Sequence, residues 1–152
     1  MISMCERNVP ALRAILETAP APWEEKALQR AETAVECFGL RLSPEAYERL
    51  GEERRRALRE TRRLELGEGN LPALMLAFCD SPYLSEANWE ESLGELQSLF
   101  YQFKNETRDA LPDAELIAAM ERVFEAKGGS LTALAMTEPE ALLRAAGEAR
   151  HG

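Results

Sequence analysis

Along most of the chain, apolar residues recur at steps of three and four, the period of one helix face, and alternation is confined to short stretches. Asn8 and Pro10 open a first expected helix with Leu12, Ile15 and Leu16 on its apolar side, and Thr18-Ala19-Pro20-Ala21-Pro22 breaks it. A second helix starts near Pro22, places Trp23, Leu28, Ala31, Val35 and Phe38 on one side, and stops at Gly39. Ser43-Pro44-Glu45 combines an N-cap, a proline at the first helical position and an acid in the first turn. The helix it starts is expected to run to about Arg63. Its apolar seam is thin (Tyr47, Leu50, Ala57 and Leu58), so it belongs on the surface. Leu40-Arg41-Leu42 and Leu64-Glu65-Leu66 alternate long enough to be extended, but are too brief to fix a strand pair.

The second half of the chain is patterned more strongly. Asn70 is placed to cap a helix from Leu71 to Cys79 that is apolar nearly all round, the mark of a central helix. Asp80-Ser81-Pro82 ends it. Ser85 is expected to cap a long helix to about Asp109, in which Trp89, Leu93, Leu96, Phe100 and Phe103 share one face. Pro112 opens another helix, with Leu116, Ile117, Met120, Val123 and Phe124 as its core side and Gly128-Gly129 as its stop. Ser130 starts a single turn through Met136. Thr137 and Glu140 are spaced as a capping box before a last helix carrying Leu142, Leu143 and Ala146. The predicted fold is all-α, a bundle of about six helices around a central apolar one. Leu74, Leu76, Phe78, Leu93, Leu96, Phe100, Ile117 and Met120 are its expected core.

Composition narrows the class without changing this picture. With 152 residues, 45% hydrophobic and 30% charged, the chain can bury a core of its own, and one helical domain over 1–152 is the simplest organisation. No apolar run approaches the roughly 20 residues of a membrane span. Residues 1–8 lack the apolar stretch of a signal peptide, which makes the cytoplasm the default compartment. The net charge of −9 is divided unevenly. Residues 1–63 carry twelve basic and eleven acidic side chains, whereas residues 64–152 carry six and sixteen. Chain-wide acidity speaks against nucleic-acid binding, which needs phosphates neutralised by Lys and Arg.

Much catalytic chemistry has no residues to run on. The sole histidine, His151, is next to the C-terminus, which leaves no base for a serine or cysteine nucleophile. Cys5, Cys37 and Cys79 are spaced as neither a zinc nor a redox motif, and their odd number argues against a disulfide framework. No Glu-x-x-His pair occurs, and Glu91 with Glu95 reads as a solvated face, so neither metal nor cofactor is expected. Gly67-Glu68-Gly69-Asn70 precedes a helix but lacks the lysine and glycines of a phosphate loop.

One feature stands out from the rest. Arg54, Arg55, Arg56, Arg59, Arg62 and Arg63 fall within ten residues, and Arg55, Arg59 and Arg62 are at i, i+4 and i+7. Arginine suits bidentate contact with carboxylates, so this stripe is the candidate surface for a protein partner or for self-association. Against that, Glu48, Glu52, Glu53 and Glu60 lie nearby and partly neutralise it. The alternative is a small-ligand or catalytic site of carboxylate and aromatic groups around Asp80, Tyr83 and Asn105.

Phe78–Ser85, Leu96–Glu106 (Leu-Gln-Ser-Leu-Phe-Tyr-Gln-Phe-Lys-Asn-Glu) and Glu115-Leu116-Ile117 with Met120 and Phe124 resemble a small bacterial family of unknown function, over about Ala34 to Phe124. The resemblance implies a bacterial cytoplasmic protein and brings no catalytic residue with it. The residues themselves favour a non-catalytic interaction or regulatory module.

Overall fold

A computed structural model describes residues 24–65 and 69–151, with side chains from 27 to 148 outside that gap. Among the described residues seven helices follow one another: α1 (Glu24–Glu36), α2 (Pro44–Glu60), α3 (Leu71–Phe78), α4 (Trp89–Glu106), α5 (Asp113–Ala126), the short α6 (Leu131–Ala135) and α7 (Pro139–His151). Among the described residues there is no strand, and no helix is long and apolar enough to cross a membrane. The helix expected around Leu12–Leu16, Trp23, Cys5 and the Gly67-Glu68 part of the turn lie outside the described residues.

The apolar helix sits where its pattern requires. Six of the eight residues of α3 are buried, and α1, α4 and α5 pack around it. The buried cluster draws on all seven helices, and all eight residues expected in the core belong to it. Helix α2 keeps only Ala46, Leu50 and Ala57 buried, a narrow seam laid against α4. Leu40 and Leu42 turn inward without forming a strand, and Leu64 points into solvent.

Helix ends obey backbone accounting, and here several expectations need correction. Helix α2 stops at Glu60 rather than Arg63, because the chain closes on itself: Arg62 N–H donates to Arg59 O and Arg63 N–H to Leu58 O. This closure puts the residue after the C-cap in the left-handed region, and Arg62 is at φ +58. The end of α4 repeats it, with Arg108 at φ +54, Arg108 N–H on Asn105 O and Asp109 N–H on Lys104 O. Helix α4 begins at Trp89, three residues later than the Ser85 cap implied. The reason is Asn88, which folds back: its Oδ1 accepts from Ser85 N–H and its Nδ2 donates to Tyr83 O. Asn70 does not cap α3 but donates to Asp113 at the start of α5. Thr137 donates to Ala133 O instead of capping forward, and α7 starts at Pro139. Ser43 and Ser130 cap as expected, accepting from the N–H groups of Ala46 and Ala133.

Candidate interaction surface

Helix α2 lies alongside α4 in the same direction. Ser43 N–H donates to Glu90 at 3.1 Å, Gln97 Nε2 to Leu50 O at 2.9 Å, and Asn105 Nδ2 to Thr61 O at 3.0 Å. These three contacts pin the start, middle and end of α2. Gln97 is buried, and the Leu50 carbonyl gives its amide the acceptor that a buried donor needs. Near the middle, the Glu53 carboxylate lies over Gly94, where an added Cβ would stand 2.6 Å from Glu53 Oε2. An open groove of about 840 Å³ runs between the two helices and α6, with Leu50, Leu99 and Leu131 on its floor. Its rim carries Arg49, Arg56, Glu90, Glu91 and Glu95.

The arginines divide into two groups. Arg54 Nε donates to Glu65 at 2.9 Å, and the buried Tyr101 hydroxyl donates to the same Glu65 oxygen. Burial, reinforced by that carboxylate, pushes the Tyr101 phenol above its ordinary pKa. Arg63 binds both oxygens of Asp109 at 2.7 Å and Asn105 Oδ1 at 2.7 Å. These two arginines are structural ties between the end of α2 and the bundle. Arg55, Arg56, Arg59 and Arg62 are exposed and take part in none of the ion pairs among the described residues. Arg55 and Arg59 share the outward side of α2, and Arg62 follows one residue past the C-cap, at φ +58.

The alternative set is not brought together. Asp80 is exposed beyond the end of α3. Tyr83 is 43% exposed, with its ring edge-to-face on Phe124 at 6.1 Å. Asn105 is at the far end of α4, roughly 25 Å along the axis from Asn88, which holds Tyr83. Its amide is occupied by Thr61 and Arg63. Lys104 reaches Asp113 and Asp109, not Asp80. Among the described residues, no group of three or more His, Cys, Asp or Glu is arranged to hold a metal ion. Cys37 is half-buried, and Cys79 is buried with its thiol donating to Leu76 O.

The profile of a family of unknown function, DUF6323, matches residues 27–151. The chain belongs to DUF6323. The match takes in every described helix except the first three residues of α1. It extends the sequence resemblance at both ends. No curated protein and no solved structure matches the chain. A DUF6323 assignment carries no activity, so the surface itself has to supply the functional argument.

Glu90 ties the cap of α2 to α4. The Ser43 N–H holds its carboxyl below the usual range, desolvation opposes this more weakly, and Arg49 adds to the lowering at 3.0 Å. A depressed carboxylate binds fewer protons folded than unfolded, so its contribution is present at neutral pH and lost as pH falls through the folded pKa. Wild type should therefore lose more stability than a Glu90→Gln variant between about pH 5 and pH 3, by about 1 kcal/mol or less because the group is partly exposed. Urea unfolding across that range measures the difference, and parallel curves would exclude the role.

Proposed function

We propose that this protein is a non-catalytic interaction module whose contact surface is the outward side of α2, with Arg55, Arg59 and Arg62 meeting carboxylates of a protein partner. The observation that carries the reading is the division among the arginines. The chain uses Arg54 and Arg63 for its own ties, whereas Arg55, Arg59 and Arg62 are exposed and form no ion pair among the described residues. A guanidinium fork matches a carboxylate in two parallel hydrogen bonds, and such exposed sites gain specificity from geometry more than from strength. Polyanionic nucleic acid is the poorer occupant. The rest of the chain carries the acidic excess and repels the phosphates that the row attracts.

Capture from extracts of the cell of origin tests the reading, with immobilised wild type compared with an Arg55→Glu, Arg59→Glu, Arg62→Glu variant of unchanged helicity. A protein retained by wild type at about 100 mM salt should be lost on the variant and released at about 500 mM salt. An identical set of retained proteins on both would contradict it.

A further inference from the structure

The outward ridge of α2 has a charge order that no ion pair among the described residues uses. Glu45, Glu48, Glu52, Arg55, Arg59 and Arg62 follow one another at steps of 3, 4, 3, 4 and 3. That spacing keeps side chains on one line of a helix facing a partner helix. All six are exposed, and none enters an ion pair among the described residues. The ridge is three acids followed by three bases. Within it, Glu48 and Glu52, and likewise Arg55 and Arg59, place like charges four residues apart, which disfavours an isolated helix. The helix dipole favours acids in the first turn and bases in the last, but it fades within a turn and leaves Glu52 and Arg55 unexplained.

The order is its own complement under reversal. A two-fold axis passing between Glu53 and Arg54 sets Glu52 against Arg55 of a second copy, Glu48 against Arg59, and Glu45 against Arg62. The same three pairs recur on the other side of the axis. A parallel arrangement would set acid on acid and base on base. We infer that the partner of this ridge is a second copy of the chain, joined through α2 in an antiparallel, two-fold contact. The inference rests on the reading of α2 as the contact surface and names the occupant of that surface. Arg62 lies past the C-cap of α2 at φ +58, so the helical row proper ends at Arg59 and the Glu45–Arg62 pair stands at its margin.

The contact must be weak. A 17-residue helix is about 26 Å long, and one helix against another belongs at the small end of specific interfaces. The dimer therefore forms at high protein concentration and low salt. A contact between the ridge and the acidic second half of another copy would be head-to-tail and would grow past two chains, whereas a two-fold contact closes at two.

Sedimentation equilibrium on the full chain up to about 1 mM tests this. In about 20 mM salt the mass should rise towards twice 17.0 kDa and stop there, with the dissociation constant increasing at least about tenfold in 500 mM salt. The Arg55→Glu, Arg59→Glu, Arg62→Glu variant and a Glu45→Arg, Glu48→Arg, Glu52→Arg variant should each remain monomeric, and their equimolar mixture should form a one-to-one dimer. Circular dichroism establishes that both fold, and Arg55→Gln with Arg59→Gln serves if either does not. A wild-type mass that stays at one chain, growth beyond two chains, or a mixture that associates no better than its components would overturn the inference. Partner capture that still depends on the three arginines, with wild type monomeric, would leave the interaction surface standing and remove only its self-pairing.

Discussion

Phe100→Ala should lower the stability of the protein by about 3–5 kcal/mol, the range for emptying a fully buried aromatic site. Phe100 is completely excluded from solvent, and its ring meets that of Tyr101 edge-to-face at 5.1 Å. Lys104 Nζ lies 5.8 Å from its centroid, so truncation also removes an apolar bed from a side chain engaged with Asp113. Neighbours cannot collapse far into the gap, because α4 is held by α2, α3, α5 and α6. Urea unfolding should show a lower midpoint with an unchanged slope, and Tm should fall by on the order of 10 °C. Phe100→Leu should cost about 1–2 kcal/mol. Equal losses for the two variants would mean that the site is not packed as described.

Gly129→Ala should cost about 2–5 kcal/mol through two separable effects. Gly129 is at φ +78, a conformation that costs an L residue about 1–2 kcal/mol, while its N–H closes α5 on Phe124 O. An added Cβ would also overlap Tyr83 Cβ and Cγ, atoms too close to the backbone to swing aside, and overpacking adds about 1–3 kcal/mol. Gly128→Ala is the internal control. Its φ of +68 carries the backbone cost, but nothing lies within 4 Å of the new Cβ, so it should lose only about 1–2 kcal/mol. Adding Tyr83→Gly, which removes both overlapped atoms, to Gly129→Ala should recover the steric part, a coupling that a double-mutant cycle reads directly. Tyr83 therefore has a packing task at the α5–α6 junction.

The fold was legible because apolar spacing reports which side of a helix is buried. Leu93, Leu96 and Phe100 on α4, and Leu116, Ile117 and Met120 on α5, lie inward as their periods require. Helix ends were less legible, because they depend on closures that glycine usually marks. Gly39 ends α1 in such a closure, but Arg62 and Arg108 occupy the same kind of position, where sequence reading carried both helices too far. Asn88 and Asn70 bond across turns that spacing does not encode. For the surface, spacing placed Arg55 and Arg59 together but could not show that Arg54 and Arg63 are occupied while their neighbours are not. That division needs Glu65, Tyr101 and Asp109, which are 11 to 47 residues away in sequence. Asp80, Tyr83 and Asn105 looked chemical by type, and only the length of α4 shows how far apart they are held.

The central claim is that the outward ridge of α2 is where this DUF6323 protein touches other protein surfaces, a second copy included. Amide proton–nitrogen spectra recorded over a concentration series, in about 20 mM and about 500 mM salt, test it most directly. The account predicts concentration-dependent shifts confined to residues 45–62, reproduced on the same residues by added partner and abolished by high salt. Shifts centred on residues 86–95 or 139–148, or none at any concentration or with partner, would contradict it.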